Sequence, residues 1–256
     1  MTDEILFEVT GQVATITINR PQKLNAVTAE MSNAMVAAVS DCNANDSIRC
    51  IIVTAAGTKA FCVGSDILEL DKYQTPWQFR NRSDYCDALR TLLKPSICAV
   101  NGYALGGGLE TAMTCDIRIA SENARFGAPE IKLGWIGGGG MAVQLAHSIG
   151  MSNAALMLMT GDYVSAEKAL AWGLVSELVP ADELMERART IAHLIARRAP
   201  IAAETAKLNL KAAYSMSVEE AMHYERDLQT ICFATADARE GIAAFKEKRE
   251  PVFRRR

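Results

Sequence analysis

Two glutamates and two glycine clusters are the residues of this chain best suited to chemistry. From Asn101 to Gly140 it reads NGYALGGGLETAMTCDIRIASENARFGAPEIKLGWIGGGG. Gly106, Gly107 and Gly108 lead into the helix-compatible LETAMTCD, and Gly137 to Gly140 open the apolar helical pattern MAVQLAHSIG. Glycines at a helix start cost backbone entropy on folding. Their use there is to let a ligand approach the backbone and to leave N–H groups pointing at it. Such amides, with the positive end of a helix dipole behind them, suit an anion or a developing oxyanion. Glu110 lies two residues after the first cluster, in the first turn of its helix, and Glu130 lies between Pro129 and the second cluster. Taken singly, each is more often a solvated side chain or a cap than a catalytic group, by roughly three to one. As a pair beside glycine-rich helix starts, they are what proton transfer next to a polarised carbonyl requires.

The elements that must position these groups alternate. VATITIN (Val13 to Asn19) has the period of two of a strand and ends at Arg20-Pro21. Thr28 is placed to cap a helix with an apolar stripe of Met31, Met35, Val36 and Val39, closed by the polar NAND. IRCIIVTAAG reads as a second buried strand, and AFCVGSDILEL passes through a glycine turn into another helical pattern. ICAVNGYAL, Ile97 to Leu105, reads as a buried strand running into a turn, and CDIRIASENARFG as a further unit of the same kind. The units recur at irregular spacing, unlike a solenoid, and predict an α/β fold of stacked sheet with crossover helices. SAEKALAWG is a short helix closed by Gly173, and GLVSELVP a last strand. Leu184, Ala188, Ile191 and Ile195 line one face of the next helix; Ser217 with Glu220, and Asp237 with Glu240, have the spacing of capping boxes. A boundary near Pro200 divides a sheet-rich core, 1–199, from a helical part, 200–256.

Half of the 256 residues are hydrophobic and 22% are charged, the balance of an ordinary globular protein. A net charge of −3 gives no field that would gather nucleic acid or an anionic membrane, so any anion site is local. The N-terminal residues lack the pattern of a secretory or organellar signal, and no apolar run reaches membrane-spanning length. The seven cysteines are scattered, without CxxC spacing, which predicts reduced, mainly buried thiols in a cytoplasmic protein. His147, His193 and His223 lie far apart and indicate no metal. Neither glycine cluster continues as a phosphate-binding loop, and neither a GxGxxG nor a GxSxG occurs.

NGYALGGGLE, CDIRIASENARFGAPEIKLG and AFCVGSDI together resemble the enoyl-CoA hydratase/isomerase, or crotonase, family, over nearly the whole chain from GQVATITINRP to EGIAAFKEKR. The resemblance implies a crotonase (ClpP-like) fold of repeated β-β-α units and an acyl-CoA thioester as substrate, with no separate cofactor. It implies a homotrimer or homohexamer, with the C-terminal helices over the active site or against a neighbouring subunit. The backbone N–H groups of Ser65 and Gly107 would form an oxyanion hole for the thioester oxygen. Glu110 and Glu130 would hold a water between them, Glu110 activating it for attack at the β-carbon and Glu130 exchanging the α-proton, with Gly138 helping to place it. Lys23, Leu24, Gly64, Asp66 and Ile67 match positions around the CoA moiety. Phe245 and Lys248 match a late aromatic and lysine that reach the nucleotide of an adjacent subunit. For Lys23 a plain surface lysine is the competing reading.

The chain departs from the family pattern in two places. Ser65 stands where alanine is common, which changes little because only its backbone is used. Trp135-Ile136-Gly137-Gly138 lacks the proline usual before that glycine, leaving Trp135 as core or pocket wall. The segment from Asp71 to Pro95, with Tyr73, Trp77, Phe79 and Tyr85, either borders the acyl pocket or is a surface helix with docked aromatics. Both glutamates together select hydration over double-bond isomerisation, and Gly138 stands where a dehalogenase would carry an aspartate. Other readings are a carnitinyl-CoA dehydratase-like enzyme, favoured by the ending EKREPVF, an isomerase, or a cyclic acyl-CoA hydrolase or thioesterase. A crotonase-like RNA-binding or scaffold protein would need a basic stripe that the sequence lacks.

Overall fold

A computed structural model describes residues 3–256. β1 (Ile5–Thr10) and β2 (Val13–Ile18) form an antiparallel hairpin, followed by α1 (Ala29–Ala44). Three strand-strand-helix units come next: β3 (Cys50–Ala55), β4 (Ala60–Cys62) and α2 (Ile67–Leu70), to which α3 (Pro76–Arg80) and α4 (Tyr85–Arg90) are appended. Then come β5 (Ser96–Val100), β6 (Tyr103–Leu105) and α5 (Gly107–Thr114), and finally β7 (Ile117–Ser121), β8 (Arg125–Gly127) and α6 (Met141–Thr160). The first strand of each unit joins a six-stranded sheet, β1-β2-β3-β5-β7-β10, where β10 is Glu177–Val179. The second joins a four-stranded sheet, β4-β6-β8-β9, where β9 is Val164–Ser165. Because β4, β6 and β8 are parallel, their carboxyl ends emerge on one edge.

Alternation along the first strands fills two cores. Ile51, Val53, Cys98, Val100 and Ala120 face α1 and the four-stranded sheet. Cys50, Ile52, Ile97, Ala99 and Ile119 face α8 (Leu184–Ala196), whose stripe of Leu184, Ala188, Ile191 and Ile195 packs on them as its spacing predicts. Six of the seven thiols are free and buried; burial pushes Cys62 up to about 12, so it stays a neutral thiol.

The structure corrects several sequence expectations. Ile97 to Leu105 is two strands in different sheets, broken at Asn101-Gly102. There the Asn101 side chain donates to the Ala55 and Gly57 carbonyls, and a Cβ on Gly102 would lie 2.4 Å from the Lys59 oxygen. Thr28 caps α1 and Met31, Met35 and Val39 are buried, but Val36 points to solvent. Ser217 and Glu220 form the capping box of α10 (Val218–Ala234). Asp237 and Glu240 do not form one. Thr235 caps α11 (Ala236–Glu247), Asp237 is buried under the Arg254 and Arg255 amides, and Glu240 pairs with Arg249.

Helices α7 (Ala166–Trp172) and α9 (Pro200–Ala212) complete the chain. Lys207 of α9 is fully engaged although buried: its ammonium meets Asp116 at 2.8 Å and the Lys94 carbonyl at 2.9 Å. Removing one member of such a pair strands the other's charge. Lys207→Met is expected to cost about 3 kcal/mol in urea unfolding; an unchanged midpoint would show that the pair contributes nothing net.

Candidate active site

Three successive units deliver their chemistry to the same sheet edge. β4 runs into Gly64-Ser65, β6 into Gly106-Gly107, and β8 through Ala128 into a 3-10 turn, Pro129–Leu133, carrying Glu130. Val27 receives the Gly64 carbonyl on its N–H at 2.9 Å and accepts the Asp66 amide at 2.9 Å. In such a parallel bridge the intervening Ser65 N–H points to the other side. Gly64 itself packs on the start of α5, for a Cβ on it would stand 3.0 Å from the Gly107 nitrogen. The Gly107 amide is the first of its helix and has no intrahelical acceptor. The turn carrying Ser65 thus lies beside the first amide of α5, where the helix dipole is positive.

Gly107 is glycine because a phenol lies against it. A Cβ there would meet the Tyr85 hydroxyl at 2.0 Å. Tyr85, at the start of α4, is buried, and its hydroxyl stands 3.5 Å from the Ser65 Oγ; burial holds it well above its ordinary pKa. Of the aromatic residues of segment 71–95, Tyr85 docks beside the site, and half-buried Tyr73 lines the small cavity next to Ser65 and Tyr85. Trp77 is 74% exposed, and Phe79 lies under the Arg82 guanidinium. The sequence carried no local signal that singled out Tyr85 among the four aromatics.

Glu110 is buried in the first turn of α5, and its Oε1 accepts the Gly139 amide at 2.6 Å and the Met141 amide at 3.1 Å. A Cβ on Gly139 would lie 2.5 Å from its Oε2, so the approach requires glycine. Gly138, one residue before, borders open space. Glu130 reaches in from the opposite side: its Oε1 lies 3.0 Å from where a Cβ on Gly106 would stand, and its Oε2 is buried without a hydrogen-bond partner. Burial raises the pKa of both, and the charge of Glu130 raises that of Glu110 further. Backbone donors oppose this at both residues, the Gly139 and Met141 amides on Glu110 and its own amide on Glu130. The two carboxyls are close enough to titrate as one unit, and Glu130 Oε2 is the oxygen left without a donor.

The remaining sequence-predicted residues separate into two groups. Leu24 and Lys23 form a turn that leads to Asn25, which donates to the Ala60 carbonyl and so ties the turn to the start of β4. Asp66 caps α2 and pairs with Arg20 at 2.7 Å, which holds its carboxyl below the usual range. Ile67 follows, exposed. Phe245 and Lys248 are not brought to this cluster: they stand on and after α11, which packs on α10, with Phe245 86% exposed. Trp135 is not core. It is 42% exposed beside the second glycine cluster, its amide on the Glu130 carbonyl.

A family model described as enoyl-CoA hydratase/isomerase matches residues 8–256. Among curated proteins, a probable enoyl-CoA hydratase of Mycobacterium bovis is 41% identical over 257 residues, 99% of each chain. The short-chain-enoyl-CoA hydratase of Clostridium acetobutylicum is 37% identical, covering 97% of this chain and 96% of its own. Among solved structures, an enoyl-CoA hydratase of Bacillus anthracis superposes with a TM-score of 0.93 at 33% identity, covering 99% of this chain and 100% of its own.

Proposed function

The chain belongs to the enoyl-CoA hydratase/isomerase family and has the crotonase fold, and from the geometry of its site we propose that it adds water reversibly across the α,β double bond of a 2-enoyl-CoA, giving the 3-hydroxyacyl-CoA. The single observation that carries this reading is the pairing of buried Glu110 with half-buried Glu130, whose Oε2 has no partner, beside the adjoining turns of Ser65 and Gly107. The Ser65 and Gly107 N–H groups hold the thioester oxygen and stabilise the enolate that forms on it. Glu110 takes a proton from water as its oxygen bonds to the β-carbon, and Glu130 gives its proton to the α-carbon. Both glutamates exchange the transferred protons before the next turnover, so one water is consumed per double bond. Gly138, bordering open space next to the Gly139 amide, helps place that water. No group beyond the substrate's own thioester is needed.

Lys23, Leu24, Gly64, Asp66 and Ile67 are assigned to the CoA moiety, supported for the last three by their place in the turn from β4 into α2, and for Lys23 and Leu24 by the turn before α1, from which Lys23 acts on Asp66 through its charge. Phe245 and Lys248 are assigned to the nucleotide of a neighbouring subunit in a homotrimer or homohexamer. That assembly is supported by exposed apolar side chains on and around α9 to α11, among them Leu210, Tyr214, Val218 and Phe233. Residues 200–256 then serve as subunit contact and cover, and the enzyme works in the cytoplasm, with neither nucleic acid nor membrane as a partner. No described helix is long and apolar enough to cross a membrane.

The test is loss of the conjugated enoyl-thioester absorbance when the protein is added to crotonyl-CoA and longer or branched enoyl-CoAs. Rapid loss with formation of the 3-hydroxyacyl-CoA is the expected result. Tight binding of CoA thioesters with no hydration of any of them would sink the reading.

A further inference from the structure

The carboxylate of Glu110 is oriented by a stretch of chain that has little stiffness of its own. Both amides on its Oε1 belong to the run Gly137 to Met141, in which four consecutive residues are glycine. Each glycine adds accessible backbone states, so such a run holds one conformation only if something outside it fixes the peptide planes. Two side chains from two different helices do so at one atom. Arg90, at the end of α4, donates Nη1 to the Gly139 carbonyl at 2.5 Å, and Gln144, in the first turns of α6, donates Nε2 to the same oxygen at 3.3 Å. Arg90 is held in turn by an ion pair to Asp87, and its own carbonyl receives the Lys211 ammonium at 3.0 Å. The same two donors crowd Gly140, where a Cβ would stand 2.7 Å from the Gln144 Nε2 and 3.5 Å from the Arg90 Nη1.

We propose that Arg90 and Gln144 are positioning residues for Glu110, acting through the carbonyl of Gly139 to hold the glycine run so that its amides meet the Glu110 carboxylate. This rests on the hydratase reading for its catalytic consequence and on the contacts alone for its structural one. Neither residue touches Glu110, so the clamp works by geometry: released, the run carries its amides away from Oε1 and leaves the carboxylate free to turn from the attacking water. Glu130 and Asp84 act on Glu110 through their charge, the Cys86 thiol on α4 lies beside them, and the Arg90 guanidinium stands on the far side of the Gly139 residue. Gln144→Leu alters none of these charges, so its titration reports the amide donors alone.

The experiment takes Arg90→Met, Gln144→Leu, the double variant and Arg90→Lys, measures hydration of crotonyl-CoA, and follows the Glu110 carboxyl by carbon-13 NMR across pH. Each single variant is expected to lower kcat about tenfold or more with KM within about twofold. The double variant falls by less than the product of the singles, because both side chains hold one carbonyl. Arg90→Lys, which keeps a cationic donor, retains more activity than Arg90→Met. In the free protein Glu110 titrates at higher pH in the two apolar variants, since the amide donors that favour its carboxylate are withdrawn. A wild-type kcat and an unmoved Glu110 titration in Arg90→Met would overturn the proposal. If the parent protein hydrates no enoyl-CoA, the hydratase reading falls, while the titration still decides whether the clamp exists.

Discussion

Replacing Glu130 by glutamine is expected to lower kcat for enoyl-CoA hydration by about a thousandfold, within the range that a positioned acid or base contributes, and at the same time to stabilise the fold. Glutamine keeps the volume and cannot give a proton to the α-carbon. Glu110→Gln is expected to lose at least about a hundredfold through the base step. The stability arm follows from linkage. Burial raises the Glu130 pKa above its unfolded value, so the folded state holds the proton more tightly than the unfolded one does. The associated stability is complete below the unfolded carboxyl pKa and declines as pH rises through the raised folded value. Glutamine does not titrate, so Glu130→Gln should melt above the parent at neutral pH, with the difference closing towards pH of about 4. A parent that melts higher at neutral pH would show that Glu130 is stabilised by partners in the fold.

Gly107→Ala is the second large effect. The new methyl group would stand 2.0 Å from the Tyr85 hydroxyl, a separation no packing tolerates, so the start of α5 or of α4 must move and the amide moves with it. Loss of one oxyanion donor costs about a hundredfold to a thousandfold in kcat. Combining it with Tyr85→Phe removes the clashing oxygen and leaves the ring carbon at 3.1 Å as the nearest atom, which a shift of a few tenths of an ångström accommodates. The double variant should therefore be more active than Gly107→Ala alone. Equal activity of the two would place the loss elsewhere than in this contact.

What the sequence could reveal was what neighbours in sequence decide. The period-two run of β2, the caps at Thr28 and Ser217 and the glycine ending α7 are local chemistry, and each stands where its residues point. The two glutamates and the first glycine cluster were legible because each sits at a helix start or turn whose purpose is local. The break at Asn101-Gly102 has a turn dipeptide, but nothing local says that the strands on either side of it join different sheets; the close approach there is to Lys59. Asp237 and Glu240 have capping-box spacing, but their partners lie 9 to 18 residues on, in the chain's last segment, and Thr235 was already the cap. Val36 failed because a stripe read at its widest includes one residue too many. Arg90 acts on a carbonyl 49 residues away, and nothing adjacent to it foretells that.

The delivery of Ser65, Gly107, Glu110 and Glu130 by three separate units also governs when the chain becomes an enzyme during folding. The contacts that unite them span tens of residues, and such closures come late because their entropy must be met before they gain anything. Secondary structure in each unit can form early without producing any turnover. Regain of activity on dilution from urea should accordingly trail regain of helical circular dichroism.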